Sequence, residues 1–236
     1  MALLHVSLPF ALCAALANSG LFDGVEVELS SEHYAEKRVA ELPALLAMPC
    51  NCLVNLAYVV MGLYWLCCYR DAEETEQSRY MRQVFALMCL TLPIFAWVPV
   101  WIGFINRGRP KLRAVHAATL ELLSILSYGL ALVHARGFEL ALLAHIALAL
   151  AAGVRVQWAH GDGRTRRHLM LAVLSCVGFV VLKLLDHRLA RYQLFQRFTG
   201  HFWSKVCDVL QFHFSFCFLT TLTQRVQSNT AARRRE

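Results

Sequence analysis

Apolar residues in this chain do not alternate with polar ones; they run. Seven windows, 2–22, 42–68, 83–105, 114–134, 138–157, 168–185 and 202–222, are apolar along nearly their whole length. A helix needs about 20 such residues to cross the hydrocarbon core of a bilayer, and each window reaches or approaches that length. Only a helix or a closed barrel satisfies its backbone hydrogen bonds in lipid, and the two-residue alternation of barrel strands is missing. The pattern therefore predicts an all-α fold, a polytopic transmembrane helical bundle of about seven spans. It forms a single multi-pass membrane domain over 1–236, ending in a basic cytoplasmic tail at 223–236.

Composition agrees: 58% of the residues are hydrophobic and 17% charged, with a mean hydropathy of +0.47. A soluble domain of this size carries more charge. The net charge of +7 would point to nucleic acid in a soluble protein, but short basic loops beside spans mark the cytoplasmic side. The lipid bilayer is thus the expected partner, and nucleic acid is not. A cytoplasmic C-terminus puts Arg107, Arg109, Lys111, Arg113, Arg164, Arg166, Arg167, Arg225, Arg233, Arg234 and Arg235 inside. It leaves Arg70, Arg79, Arg82, Arg136, Arg188, Arg191 and Arg197 outside, so inside holds the larger share. The first window has "AALA" before Asn18, like a signal-peptide cleavage site, but no basic n-region, which favours an uncleaved span. The loop Asp23 to Glu41 carries six acids against Lys37 and Arg38. Window 83–105 holds Pro93 and Pro99, and each proline removes a helical hydrogen bond. It is expected to be a kinked span or a re-entrant hairpin. Of nine cysteines, Cys13, Cys89, Cys176, Cys207 and Cys217 fall inside spans, where cysteine acts as a small hydrophobe. Cys50 and Cys52 fit neither a redox nor a zinc pattern.

Polar groups inside the windows are the candidate chemistry. At 100° per residue, His201, Lys205 and Asp208 share a stripe about 60° wide, with His213 roughly 120° from His201. Such groups are costly in lipid, so they face the bundle and pair; Lys205 and Asp208, three apart, can pair within their own helix. In the second window Asn51, Asn55, Tyr58 and Gly62 follow one helical face. Pro49, just before them, frees backbone groups that the asparagine amides could satisfy. The fourth window adds Glu121, Ser124 and Tyr128, and the fifth His145. Lys183, Asp186 and His187 read as an interfacial set at the end of the sixth. These positions predict an interhelical polar cluster of Asn51, Asn55, Tyr58, Glu121, Ser124, Tyr128, His201, Lys205 and Asp208. No nucleophile elbow, phosphate-binding glycine loop, HExxH or CxxC is present, so no residue is assigned a catalytic role and an enzyme is the less favoured class.

Beyond composition, "EHYAE", "LPALLAMPCNCLVNLAYVVMGL", "TLPIFAW", "SYGLALVH" and "LSCVGFVVLKLLDHRLARYQLFQRFTGHFWSKVCDVLQFHF" resemble the transmembrane protein 187 family over nearly the whole chain. The resemblance implies a multi-pass membrane protein and leaves the activity open, because that family has no established biochemical one. One departure stands out: the family has a longer stretch before "TLPIFAW", where this chain runs straight on from "VFALMCL". Two spans would be fused into one here. A more distant similarity, to the superfamily of alkaline ceramidases and progestin/adiponectin-type receptors, rests on Asn51 to Asn55 and on a final-helix H-x-x-x-H. Here that pair reads His201 then Lys205. The similarity implies zinc as the cofactor of a lipid hydrolase, with His201, Asp208 and His213 as candidate ligands; otherwise none is expected. Zinc needs three neutral or anionic protein ligands and an open position, and an ammonium repels it, so a non-catalytic relative is implied. Three functions follow: binding or scaffolding through the polar cluster, a metal-dependent lipid hydrolase, or a proton-coupled transporter using Glu121 and His145.

Overall fold

The computed structural model describes residues 2–21, 35–41, 47–68, 76–91, 119, 122–123, 126–134 and 136–233. Among these every element is helical. In chain order they are α1 (Ala2–Ala17), α2 (Pro49–Leu53), α3 (Leu56–Leu63), α4 (Glu76–Thr91), α5 (Gly137–His160), α6 (Gly163–Leu184), α7 (Asp186–Leu189) and α8 (Gly200–Arg233). A π turn covers Tyr64–Cys68, and 3-10 turns cover Tyr128–Leu132 and Gln193–Phe195. Four described stretches are long and apolar enough to cross a membrane: Pro49–Cys67, Glu139–His160, Gly163–Leu184 and Gly200–Asn229. Seven were expected. α1 has only 16 residues, and 92–118, with Pro93 and Pro99, lie outside the described residues.

The chain divides into two compact units, Met1–Glu26 with Asp71–Asp162, and Val27–Arg70 with Gly163–Glu236. In the first, α1 packs on α4. The α4 side chains Val84, Phe85, Ala86 and Cys89 are fully enclosed, and Cys89 serves there as a small apolar filler. α5, at 24 residues, is about 36 Å long at 1.5 Å per residue, enough to cross the hydrocarbon core.

The second unit is built on α6 lying along α8. The two approach closely at Gly178, where a Cβ would come within 2.9 Å of Cys207 Sγ, the small-residue contact that lets membrane helices meet. On the other side of α8, Trp65 stacks on Phe216 at 4.5 Å between ring centroids, and Phe218, Leu219 and Leu222 are enclosed. α8 does not stop at 222: it continues to Arg233, so the tail is helical over most of its length.

The second window is not one straight helix. Between α2 and α3 the backbone tightens, with Asn55 N–H donating to Cys52 C=O (3.2 Å) and Tyr58 N–H to Asn55 C=O (3.2 Å). Those three-residue bonds deprive the Asn51 carbonyl of its usual donor, and the Asn55 side-chain amide supplies one at 3.1 Å. The sequence suggested that asparagine amides would satisfy groups freed by Pro49. The amide instead repairs the break five residues further on.

The groups freed at Pro49 are met by a carboxylate. Glu36, buried at 7% exposure, accepts from Cys50 N–H and Asn51 N–H, each at 2.8 Å. These are first-turn donors that a helix leaves without intrahelical partners, and a negative charge there also complements the helix dipole. α8 begins in the same manner. Asp186, 4% exposed, accepts from His201 N–H at 2.7 Å through Oδ1 and from Ala35 N–H at 3.0 Å through Oδ2. Gly200 permits this, since a Cβ there would lie 2.7 Å from Leu182 O and 3.1 Å from Asp186 Oδ1. Asp186, expected at the interface, is thus a buried structural acid. Adjacent residues 35 and 36 tie two helix starts to one loop, which Val39 N–H to Ala47 C=O (2.8 Å) closes.

Two buried charged hydrogen bonds at about 1.5–3 kcal/mol each make Asp186→Ala strongly destabilising. Thermal unfolding of the detergent-solubilised protein should fall by several degrees more for Asp186→Ala than for Asp186→Asn, which keeps an acceptor. Equal midpoints for wild type and Asp186→Ala would show that the carboxylate bears no such load.

Candidate functional site

The polar contact at membrane depth is made by three side chains on two helices. α3 turns Tyr58 and Gly62 inward, and Tyr58 is 3% exposed. Its hydroxyl donates to Asp208 Oδ2 on α8 in a short hydrogen bond. The same ring meets Lys205, whose Nζ lies 5.8 Å from its centroid, within reach of a cation–π attraction. Phe212 closes the far side edge-on at 6.0 Å. The sequence placed Lys205 and Asp208 on one stripe of one helix and paired them. In the structure the hydrogen bond to Asp208 comes from another helix, and Tyr58 mediates between anion and cation.

Local folding explains the alignment. The Glu36 cap fixes where α2 starts, and the tightened turn at Asn55 sets the rotation of α3, so that Tyr58 faces α8. The Asp186 cap fixes the start of α8, reinforced by Thr199, whose Oγ1 accepts from Phe202 N–H at 3.4 Å.

Asn51, Asn55 and His201 belong to the same unit as this contact. His201 is buried, and its backbone is engaged at both ends, the N–H by Asp186 and the carbonyl by Ser204 Oγ at 2.7 Å. Asn55 is exposed and bonds within its own segment. The Asn51 amide is enclosed, and among the described residues neither its nitrogen nor its oxygen finds a hydrogen-bond partner, beside the Glu36 cap. His213 lines an open apolar groove of about 520 Å³ with Ala57, Val60, Met61, Tyr64 and Val209; its Nε2 lies 3.6 Å from Cys217 Sγ. Tyr128 belongs to the first unit, where its ring lies 5.4 Å from that of His145 and Ser127 Oγ is 3.3 Å from His145 Nε2. Glu121 and Ser124 lie outside the described residues.

The zinc reading can be tested on this geometry. At 1.5 Å per residue, His201 and His213 stand about 18 Å apart along α8, whereas zinc ligands sit about 2 Å from the metal. The three candidates cannot share one ion on a continuous helix. Among the described residues no group of three or more His, Cys, Asp or Glu is placed to hold a metal.

Long apolar helices, exposed apolar side chains along them and a charged contact shut between two of them define a helical membrane protein. The chain belongs to the TMEM187 protein family, matching it over residues 2–91 and 89–220. It is 48% identical over 250 aligned positions to transmembrane protein 187 of Bos taurus, covering 94% of this chain and 96% of that one. To transmembrane protein 187 of Homo sapiens it is 48% identical over 244 positions, covering 93% and 91%. No solved structure matches. The chain has fewer residues than its alignment with the bovine relative has positions. The two matched stretches meet at residues 89–91. Moreover, 94% of 236 residues is about 222, against 250 aligned positions, so about 28 positions of the bovine relative have no residue here.

Tyr58→Phe removes the hydroxyl that donates to Asp208 and leaves a half-buried carboxylate without it, at a cost of about 1.5–3 kcal/mol. A double-mutant cycle of Tyr58→Phe with Asp208→Ala, read by detergent-phase unfolding, should give a coupling energy above about 0.5 kcal/mol. Simple additivity would mean that the two residues do not support one another.

Proposed function

We propose that the chain acts by binding or scaffolding inside the bilayer, through the polar contact of Tyr58, Lys205 and Asp208. The observation that carries the reading is a hydrogen bond between side chains of two membrane-capable stretches, Pro49–Cys67 and Gly200–Asn229, with a lysine held over the same ring. Charged groups at that depth are expensive unless paired, and an enclosed pair locks helices into one register, which is what a scaffold needs. The amide of Asn51, without a hydrogen-bond partner among the described residues, adds capacity to hold a polar group of a ligand or a partner helix. Among the described residues no group of three or more His, Cys, Asp or Glu is placed to hold a metal, so scaffolding fits the arrangement better than hydrolysis. Seven spans in one membrane domain, with the tail in the cytoplasm, complete the proposal.

A second reading is favoured by one contact in the first unit. His145, midway along an apolar helix, meets Ser127 and Tyr128, the kind of chain a proton-coupled transporter uses. It requires pH-dependent flux that disappears in Glu121→Gln.

Scaffolding predicts a discrete assembly larger than the monomer on native gels of gently solubilised membranes. Asp208→Asn and Tyr58→Phe should each dissociate that assembly while the monomer stays monodisperse. A wild type that runs as a lone monomer after chemical cross-linking in the membrane would refute the reading. For orientation, a glycosylation acceptor placed after Glu236 should remain unmodified; efficient glycosylation there would put the tail on the other side.

A further inference from the structure

α6 ends at Leu184 and α8 begins at Gly200, and both are membrane-capable. The connection 185–199 must therefore lie at a membrane surface. Its sequence, "LDHRLARYQLFQRFT", contains one acid and three arginines. The acid is Asp186, and its two oxygens are turned inward onto the N–H groups of Ala35 and His201, so it offers no counter-charge outside. Arg188, Arg191 and Arg197 are all exposed, and none of their guanidinium groups bonds to another described residue. Interleaved with them, Tyr192 is 66% exposed, Leu194 75% and Phe198 42%.

Neither water nor hydrocarbon suits this mixture. Water leaves large apolar side chains uncovered, and hydrocarbon leaves guanidinium groups unpaired. The headgroup layer suits both, since tyrosine and long cationic chains settle there and the guanidinium fork matches phosphate oxygens in two parallel bonds. Three cations within ten residues, with no exposed acid among them, also discriminate between headgroups. A zwitterionic lipid presents an ammonium that cancels its phosphate charge, whereas an anionic lipid brings a net negative charge to the cluster.

We propose that residues 185–199 are a docking surface for anionic phospholipids of the surrounding bilayer. Arg188, Arg191 and Arg197 take the phosphates, and Tyr192, Leu194 and Phe198 enter the acyl boundary beside them. The surface is independent of the Tyr58–Asp208 contact, and so of the scaffolding reading.

The test uses the full-length protein reconstituted in a mixed phosphatidylcholine–phosphatidylglycerol bilayer, re-extracted in mild detergent and weighed with its retained lipid by native mass spectrometry. Wild type should retain phosphatidylglycerol several-fold above its share of the bilayer. The triple variant Arg188→Gln, Arg191→Gln, Arg197→Gln should lose most of that enrichment at unchanged monodispersity, and the matching triple lysine variant should keep a large part of it. Retained lipid in the bulk ratio for wild type, or undiminished enrichment in the glutamine variant, would overturn the proposal. A solvent-sensitive dye on Leu194→Cys should report an apolar surrounding in the reconstituted bilayer; water-like emission there would overturn the insertion of this segment.

Discussion

A helix that starts inside an apolar environment begins with backbone donors that nothing in the helix can accept. In water this deficit is small. Near or within a bilayer each unmet donor costs several kcal/mol, so the start of a membrane helix is decided by where an acceptor stands. Two carboxylates set that position here. Glu36 and Asp186 are not at the capping positions of their own helices; they reach across from a loop and from the end of a preceding span. An ionised carboxylate is a strong acceptor, and two donors on each acid go far to offset the desolvation of the charge.

The polar contact depends on those anchors through geometry. Tyr58 is two turns beyond the start of α2, and Asp208 about two turns beyond the start of α8. One residue of slippage at either start rotates the side chain by about 100°, which would carry the phenol away from the carboxylate. The three-residue bonds around Asn55 adjust the rotation between cap and tyrosine. Caps, tightened turn and contact therefore form one chain of dependence, in which the buried acids come first.

Four of the seven expected windows coincide with described stretches able to cross a membrane, because continuous apolar runs have few other uses. The predicted 138–157, 168–185 and 202–222 match α5, α6 and the apolar part of α8 within a few residues at most ends. The stripes bearing Tyr58 and Asp208 were legible too, since helical periodicity puts polar groups on a common face. What periodicity could not supply was the partner. Spacing of three favoured Lys205 as the mate of Asp208, whereas the donor is 150 residues distant in sequence. Glu36 and Asp186 went unrecognised for a different reason: their partners are backbone N–H groups, which every residue but proline carries, so no residue type marks them. The faint signal was Pro49 itself, which announces a helix start and so a need for acceptors. His201 and His213 failed as a ligand set because angle alone was considered, and the rise along the helix separates them.

The break in the family match falls within one unit. The family match breaks at 89–91, at the end of α4, in the unit formed by 1–26 and 71–162. Every residue of the two carboxylate caps and of the Tyr58–Asp208 contact comes from 27–70 or 163–236. Here the contacts that hold the second unit are internal to it: capped helix starts, the α6–α8 approach at Gly178, and the Trp65–Phe216 stack. The printed partners of these capped backbone donors and of Asp208 all belong to this same unit. The physical requirement that polar groups be met locally in lipid is thus answered here from within one unit.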